Sequence, residues 1–452
     1  MRLPITLSLI LAAAASLRAE APSIQGTMPE DYMPGLKPLL VEAVERSPNT
    51  IAASINLAAI EASKYGSISQ LLPQVGVGAD YGVSHETISD GAPSTSKGLF
   101  YSANVSQNVF EWGALKNQLA ISNLQIKVAS RQFEDAYRLL AITLREQYMG
   151  IINKKILVRN QAFKQQISEE SLAAQQVRFE AGSVSEAEVQ GFKLDLEEAR
   201  LMRDRAQEDY DNAKRIFMHL VGIESLNDDS IPTELPHPDF VAALADSILT
   251  GFVGDGIEST FQSEIYKMSV KEGDLNYSIA KVRLLPKVSA AASYSFSNYT
   301  SASTGSISQV GVQSEAYSIA ANWSIFDGFA TRGQKLAALA SKRLYERQRQ
   351  TYVDQTIDLI TDMRHQLGFS SRALSLAEVH NALIGAEVKR LNQDRSLGYA
   401  SQATIDTGTL NFYATQYLMA YARMDYMSRW TEFISLAGID PAIANISARY
   451  VR

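Results

Sequence analysis

The second half of the sequence repeats the first half at a constant spacing. Identical residues recur 216 positions apart, as in Gly182 and Gly398 or Gly222 and Gly438. The same spacing joins Phe110 with Phe326, Tyr210 with Tyr426, and Phe217 with Phe433. Solenoid repeats have periods of about 20 to 50 residues, so this much longer period indicates that a whole structural half was duplicated. We therefore expect a pseudo-symmetric molecule.

Each half contains two segments in which apolar residues alternate with small or polar ones. In the first half they begin at Gln74 and near Leu99, and in the second half at Val288 and Tyr317. The apolar positions of the first segment are Val75, Val77, Ala79, Tyr81 and Val83. This period of two predicts strands with one apolar face. Their length of about 9 to 11 residues is that of tilted membrane-spanning strands.

The opposite faces of these strands carry serine, glycine, alanine and asparagine, which suits the wall of a wide aqueous bore. A half-buried sheet in a soluble protein would show the same alternation, so the strands alone leave that alternative open. Four strands cannot close a membrane barrel, because the smallest such barrels use about eight and open edges are not tolerated in lipid. A membrane location would therefore require several chains to share one barrel.

Two long stretches of the sequence lack proline, namely those between Pro93 and Pro232 and between Pro286 and Pro441. Proline is excluded where helices run uninterrupted. Apolar residues also recur at spacings of three and four, as in Phe133, Tyr137, Leu140, Leu144, Tyr148 and Ile151. This pattern predicts a helix on the order of 100 Å long between residues 114 and 181, at 1.5 Å per residue. Gly150 and Gly368 are either hinges or local packing weaknesses in the two long helices.

These patterns divide the chain into five parts. Residues 1–19 are a predicted signal peptide, 20–228 the first structural repeat, 229–257 a linker or equatorial segment, 258–440 the second repeat, and 441–452 a C-terminal tail. In the first repeat we expect strands at about 73–86 and 98–110 and long helices at 113–181 and 184–221. In the second we expect strands at about 286–299 and 315–326 and long helices at 329–397 and 401–437. Pro232, Pro236 and Pro238 mark the extended connector.

The beginning of the sequence and its composition narrow the class of protein. A basic residue at Arg2, an apolar run from Leu3 to Ala15 and small residues up to Ala19 predict a cleaved secretory signal peptide. The alternative, a transmembrane anchor, needs about 18 to 20 apolar residues. Cysteine is absent, so disulfides, thiolate metal sites and cysteine-linked lipid are excluded. The net charge of -7 without a dense basic tract argues against nucleic acid as a partner.

A glycine turn follows each of the predicted long helices. In the first half Gly182 supplies the left-handed helix end, Ser185 caps the next helix, and Glu188 completes a capping box. In the second half Gly398 and Ser401 occupy the same places. Thr404 stands where the capping glutamate would be. Each turn is predicted to join the two helices of a hairpin.

With these turns, the chain resembles the TolC family of outer-membrane efflux and secretion channels over nearly its whole mature length. The resemblance rests on the strand pairs from Leu72-Pro73 to Phe110 and from Leu285-Pro286 to Phe326, on the helical hairpins, and on the aromatic-x-x-Gly-x-x-Ser-x-x-acid turn. It implies a mostly α fold with a membrane β-barrel portion. Three chains would share a twelve-stranded barrel in outer-membrane lipid, continued by an α-helical tunnel across the periplasm. The implied function is that of a passive conduit in a tripartite efflux or type I secretion system.

The resemblance also implies partners and functional residues. The partners would be two more copies of the chain, a periplasmic adaptor protein and an inner-membrane pump. The adaptor-contacting periplasmic tip would comprise Gly182, Ser183, Val184 and Ser185 with Leu397, Gly398, Tyr399 and Ala400. Glu188 and Asp406 are candidate pore carboxylates, although this chain has Thr404 and Thr407 where family members place acidic residues. No cofactor is implied.

The sequence offers no pattern of catalytic residues. Its five histidines are scattered without metal-ligand spacing, and Gly76-Val77-Gly78 lies within a predicted strand and opens no helix, so it is no dinucleotide signature. We therefore do not expect an enzyme. The alternative to a channel is a periplasmic coiled-coil scaffold or adaptor that never enters the membrane. The four strands with lipid-type alternation argue against it.

Overall fold

In the computed structural model of the chain, the described residues are 26–87, 94–239, 242–303, 306–444 and 446. The predicted signal peptide lies outside them, as does most of the predicted C-terminal tail.

Within the described residues, three helices precede the sheet. They are α1 (Pro29–Tyr32), α2 (Leu36–Arg46) and α3 (Pro48–Ser69). Pro48 begins α3 at its first position, where a missing N–H costs nothing. No helix is predicted from the sequence in this stretch of the first repeat, so these three helices are an addition to the expected elements.

The sheet is antiparallel and has four strands in chain order: β1 (Gln74–Glu86), β2 (Ser94–Phe110), β3 (Lys287–Ser303) and β4 (Ser306–Asn322). Gln74 pairs with Ser106 in the first hairpin, and Lys287 pairs with Asn322 in the second. The strands of both repeats thus join in one sheet through β2 and β3. Strands β1 and β4 are left as its two edges.

Three strands have boundaries that differ from the sequence-based expectation. Strand β2 begins at Ser94 rather than near 98, β3 continues to Ser303 rather than 299, and β4 runs from Ser306 to Asn322 rather than from 315 to 326. The polar ends pair because backbone hydrogen bonds continue regardless of the side chains. Strand β4 ends at Asn322 because its partner β3 begins at Lys287, directly after Pro286, which has no N–H to donate.

Two helical hairpins dominate the rest of the chain. The first consists of α4 (Ala114–Glu180) and α5 (Glu186–Val221), and the second of α8 (Ala330–Ser396) and α9 (Gln402–Leu436). Helices α4 and α8 each contain 67 residues, which corresponds to about 100 Å. Helix α7 (Phe261–Val282) leads into β3 as α3 leads into β1.

The predicted linker or equatorial segment at 229–257 is partly helical, and the part around its three prolines, 231–239, contains no helix. Helix α6 (Ala242–Gly254) lies within it, and its Ala245, Ile248 and Phe252 are buried. These buried residues follow the spacing of three and four that is typical of a helix face. A last short helix, α10 (Pro441–Ala444), follows α9.

The chain turns from strand to helix through two successive residues in the left-handed region of backbone space. They are Trp112 and Gly113 before α4, with φ of 53° and 84°, and Gly328 and Phe329 before α8, with φ of 62° and 70°. Left-handed backbone is uncommon for Trp and Phe. At the first turn the Trp112 indole N–H donates to the Pro286 carbonyl at 2.7 Å, which holds the strained residue in place.

The hydrophobic core lies about midway along α4 and α8 and at the C-terminal ends of α5 and α9, where α1, α2, α6 and the connector between the repeats meet them. Its largest fully buried side chains include Tyr137, Leu144, Tyr148, Phe217 and Phe433. The Tyr137 hydroxyl donates to the Leu40 carbonyl at 2.9 Å. Burial raises the pKa of Tyr137 to about 12, so it remains a hydrogen-bond donor at physiological pH.

Candidate functional site

The sheet has two chemically different faces. On one face the apolar rows predicted from the sequence lie in the open, with Val77 84%, Ile319 81% and Tyr317 79% exposed. Neighbouring strands align these rows, because Val75 pairs with Val105 and Ala79 with Tyr101. A broad exposed apolar face of this kind marks a surface that contacts lipid or another protein.

Small and polar residues line most of the opposite face. The register aligns Gly78 with Ser102 and Ser295 with Ser314 on this face. This face departs from the small, polar pattern near the hairpin ends, where Phe100 and Tyr299 stack with ring centroids 6.0 Å apart. This pair is not expected from the sequence, because the alternation in β2 is recognisable only from Leu99 and the polar positions predicted for β3 end at Ser297.

A band of aromatic side chains lies where the strands meet the helices. Phe110 and Trp112 pack edge to face at 5.1 Å between centroids, and Phe326 and Phe329 do so at 5.4 Å. All four are at least 46% exposed. Phe110 and Phe326 are counterparts in the two repeats, whereas their partners Trp112 and Phe329 lie one position out of step. Exposed aromatic residues at one level of a molecule are typical of a membrane interface.

The turn between α4 and α5 contains the first set of predicted tip residues. Gly182 has a φ of 71°, and the Ser183 N–H donates to the Arg178 carbonyl at 2.8 Å, which closes the end of α4. The Glu188 N–H donates to Ser185 Oγ at 3.3 Å, and the Ser185 N–H donates to Glu188 Oε2 at 3.0 Å. The predicted capping box is present, and Gly182, Ser183 and Ser185 are exposed.

The turn between α8 and α9 contains the second set. Gly398 has a φ of 81°, and the Tyr399 N–H donates to the Asp394 carbonyl at 2.8 Å. Leu397 is 68% exposed and Tyr399 is 83% exposed, so the turn presents two large apolar side chains to its surroundings. Ser401 caps α9 by accepting from the Thr404 N–H at 3.2 Å. Both turns lie at the ends of 67-residue helices that begin at the sheet.

The two candidate pore carboxylates already have local partners. Glu188 is exposed and serves in the capping box described above. Asp406 accepts a hydrogen bond from Gln402 Nε2 at 2.6 Å, one helical turn away. These bonds account for both residues structurally, and they leave the second oxygen of each carboxylate for another ligand.

The two repeats are joined side by side through α4 and α9. The rings of Phe163 and Tyr413 pack edge to face at 4.9 Å, and the Arg159 guanidinium lies 5.2 Å from the centre of the Tyr413 ring. Asn160 Nδ2 donates to the Tyr413 carbonyl at 2.9 Å. Helix α4 also packs against α7, and α7 packs against α8. These contacts arrange the helices as a wall rather than a closed bundle.

The connector between the repeats crosses this wall and is attached to both hairpins. Lys155 of α4 donates to the Asp228 and Ile231 carbonyls, each at 2.7 Å. Arg423 of α9 donates to the Leu235 carbonyl at 2.6 Å and to Glu378 of α8 at 2.9 Å. The connector therefore acts as a strap that holds the two hairpins together at the level of the core.

The described part of the chain shows no arrangement suited to metal binding and no helix that could span a bilayer. It contains no group of three or more His, Cys, Asp or Glu side chains that could hold a metal ion. None of its helices is both long and apolar enough to cross a membrane.

Comparison with known proteins relates part of this chain to a protein family. Residues 39–222 match the outer membrane efflux protein family. This match confirms the resemblance suggested by the sequence, and the family is one of channel proteins rather than enzymes. No match was found among curated proteins.

The fold matches solved structures of outer-membrane channels along nearly the whole chain. The CmeC outer membrane channel of Campylobacter jejuni is 13% identical with a TM-score of 0.70, covering 99% of this chain and 97% of that one. The outer-membrane channel OprN is 15% identical with a TM-score of 0.69, covering 97% and 98%. The MtrE outer membrane channel of Neisseria gonorrhoeae is 14% identical with a TM-score of 0.63, covering 90% and 89%. At these identities the likeness shows the fold.

Proposed function

We infer that this chain, whose residues 39–222 belong to the outer membrane efflux protein family, is the outer-membrane channel of a tripartite efflux system. It resides in the outer membrane and extends into the periplasm. The observation that carries this conclusion is the sheet, whose exposed apolar face and small, polar opposite face form one sector of a membrane-spanning wall. The fold similarity covers both the sheet and the helices, and it gives no support to the alternative of a periplasmic scaffold.

We propose that three chains share one twelve-stranded barrel. Strands β1 and β4 are unpaired edges in the single chain, and open edges cannot face lipid because their N–H and C=O groups would lack partners. The isolated chain of 49.6 kDa also exposes 27761 Å², whereas a compact monomer of that mass exposes about 17,000 Å². An elongated subunit with uncovered interfaces explains the difference.

The apolar face lies progressively closer to the helices from β1 to β4, as is expected for strands that are tilted in a membrane. Val75, Val105, Ala292 and Tyr317 form a single row across the four strands. In β1 the apolar run extends from this row away from the helices, over eight residues to Val83. In β4, which runs in the opposite direction, the apolar run extends from Tyr317 towards the helices. A horizontal lipid layer crosses tilted barrel strands along such an oblique line. The oblique apolar face thus fits a bilayer whose plane crosses the strands at an angle.

The helices continue this wall beneath the membrane. We propose that the three wall sectors close into a tunnel about 100 Å long, from the band of aromatic residues to the two glycine turns. The conduit itself is passive, so the energy for export would come from the inner-membrane pump. The same conduit also fits a type I secretion system.

We propose that the two turns at the far end contact a periplasmic adaptor protein. The surface comprises the predicted tip residues Gly182, Ser183, Val184, Ser185, Leu397, Gly398, Tyr399 and Ala400. Its support is the exposure of Leu397 and Tyr399, which gives a partner two apolar anchors of the kind found in interface centres. Glu188 and Asp406 would lie near the tunnel entrance, where three copies of each could attract cations.

The contact can be tested with a photoreactive residue in place of Tyr399, and with one in place of the equally exposed Tyr65 near the sheet as the control. We expect a cross-link to a periplasmic adaptor from position 399 alone. Equal cross-linking from both positions, or none from 399, would contradict the assignment.

The channel itself is tested by membrane fractionation combined with gel electrophoresis of unboiled and boiled samples. We expect the chain in the outer-membrane fraction, as a trimer band that collapses to monomer on boiling. A soluble periplasmic monomer would exclude the channel.

A further inference from the structure

An aromatic patch interrupts the small, polar face of the sheet near the hairpin ends. Phe100 of β2 and Tyr299 of β3 stack with an angle of 19° between their rings. Val310 and Val312 of β4 continue the patch, because Tyr299 pairs with Val310 and Ser297 with Val312. In the proposed channel this face lines the bore, so the patch lies inside the aqueous conduit, towards its outer mouth.

Two glycines make room for the patch. A Cβ at Gly82 would meet the Phe100 ring at 3.5 Å, so Phe100 lies over that glycine. A Cβ at Gly98 would meet the Tyr299 Cα at 2.4 Å, which excludes any larger residue there. Both rings therefore lie close to the backbone of the sheet, and both remain partly exposed.

A carboxylate lies beside the patch. Asp80 is directly opposite Phe100 in the register of β1 and β2, and its side chain is exposed on the same face. Side chains opposite each other in an antiparallel pair have Cβ atoms about 4.5–5.5 Å apart. An aromatic surface next to an exposed negative charge complements a flat aromatic molecule that carries a positive charge.

We propose that Phe100, Tyr299 and Asp80 form a binding subsite for aromatic cations inside the bore, with one copy in each of the three subunits. This proposal rests on the proposed channel and assigns a substrate class to part of its wall. The ring of the solute would stack on Phe100 and Tyr299, and its cationic group would lie next to Asp80. The contacts are few and open to water, so binding is weak enough to allow release.

The same two strands supply a control on the opposite face. Tyr101 and Phe296 form a second cross-strand aromatic pair, with ring centroids 6.4 Å apart and 24° between the rings. Tyr101 is one residue from Phe100 and Phe296 is three residues from Tyr299, but this pair lies on the apolar face. If the role of Phe100 were only to hold two strands together, Phe100→Leu and Tyr101→Leu would have the same consequences.

The test is single-channel current through the purified trimer in a planar bilayer, with ethidium as an aromatic monocation and the Tris cation as a non-aromatic one. We expect ethidium to block at much lower concentration than Tris. Phe100→Leu, Tyr299→Leu and Asp80→Asn should each raise the half-blocking concentration of ethidium about tenfold, the size of one cation–π or charge contact. Tyr101→Leu should leave it unchanged.

The outcomes separate the subsite from the channel. A conducting wild-type channel that ethidium blocks no better than Tris would overturn the subsite and leave the channel standing. Equal half-blocking concentrations in wild type and Phe100→Leu would overturn it as well. A protein that does not conduct without ethidium would overturn the proposed function and the subsite together.

Discussion

Arg145 donates two hydrogen bonds, at 2.5 and 2.9 Å, to the carboxylate of Asp440, which lies 295 residues further along the chain. The same guanidinium donates two more to Glu30, at 2.8 and 2.6 Å. Arg145 is completely buried. One residue of α4 thus ties together the beginning of the first repeat and the end of the second. This cluster holds both ends of the described chain to the middle of the tunnel wall.

We predict that Arg145→Met destabilises the protein by about 3–5 kcal/mol, because it leaves two buried carboxylates without their cation. Arg200→Met is the control. Arg200 forms exposed ion pairs with Glu197 and Glu169, and such pairs contribute less than about 1 kcal/mol. Thermal unfolding of both variants checks the prediction. A similar melting temperature for the two would show that the cluster contributes little.

The two faces of the sheet predict opposite responses to a charge in β4. Ile319→Lys places an ammonium on the apolar face, where lysine near the bilayer midplane costs about 2–4 kcal/mol. Ser318→Lys places it on the bore face, in water. We expect Ile319→Lys to reduce the amount of trimer in the outer membrane and Ser318→Lys to leave it unchanged. Equal tolerance of both lysines would mean that Ile319 does not face lipid.

The glycine turns predict position-dependent effects of alanine. Gly182 has a φ of 71° and nothing within 4 Å of an added Cβ, so Gly182→Ala should cost about 1–2 kcal/mol through backbone strain alone. Gly191 also has open space, but it lies within α5 at a helical φ. Gly191→Ala should therefore stabilise the hairpin by about 0.5–1 kcal/mol. Hydrogen exchange in the last turn of α4 measures the difference. Faster exchange in Gly191→Ala than in Gly182→Ala would refute this account.

The strap predicts a pH dependence centred on Glu378. Burial by itself raises the pKa of Glu378, but hydrogen bonds from His237 and Arg423 outweigh burial and hold the pKa below its usual value. A carboxyl with a lowered folded pKa stabilises the protein above its unfolded pKa, about 4.3, and this contribution is lost as the pH falls through the folded pKa.

Glu378→Gln should therefore lower the melting temperature at pH 7, and the difference from wild type should shrink as the pH falls below about 4. Glu387→Gln on the same helix is a control, because its partner Arg390 lies on α8 itself and no strap contact is lost. Melting curves between pH 7 and pH 3 test this. A difference for Glu378→Gln that grows on acidification would have the wrong sign for this account.

Much of the architecture could be predicted from the sequence because the repeat, the proline-free stretches and the alternating segments are each governed by local chemistry. The helix predicted at 113–181 corresponds to α4, which is observed at Ala114–Glu180. The strand ends could not be predicted, because Asn322 ends β4 only through its pairing with Lys287 in another strand. The buried Arg145 cluster depends on residues far apart in sequence, so no local pattern reveals it.

The functional surfaces could likewise be predicted only where they depend on local sequence. Gly182 and Ser185 were predictable from capping rules that operate within a few residues. The pair of Phe100 and Tyr299 was not, because it becomes a patch only when β2 and β3 are brought into register. The division of the chain into domains, the tip contacts and the pore carboxylates Glu188 and Asp406 remain predictions.

The most direct test of the shared barrel is disulfide cross-linking between the two edge strands of neighbouring subunits. The chain has no cysteine, so Gly78→Cys in β1 can be combined in turn with Ser314→Cys, Ala316→Cys and Ser318→Cys in β4. Within one subunit these edges are separated by β2 and β3, so a disulfide at one of these pairings must join two chains. We predict that at least one combination yields covalent trimers in the outer membrane under oxidising conditions. Monomers alone in all three combinations would contradict a barrel that is closed by pairing β1 of one chain with β4 of the next.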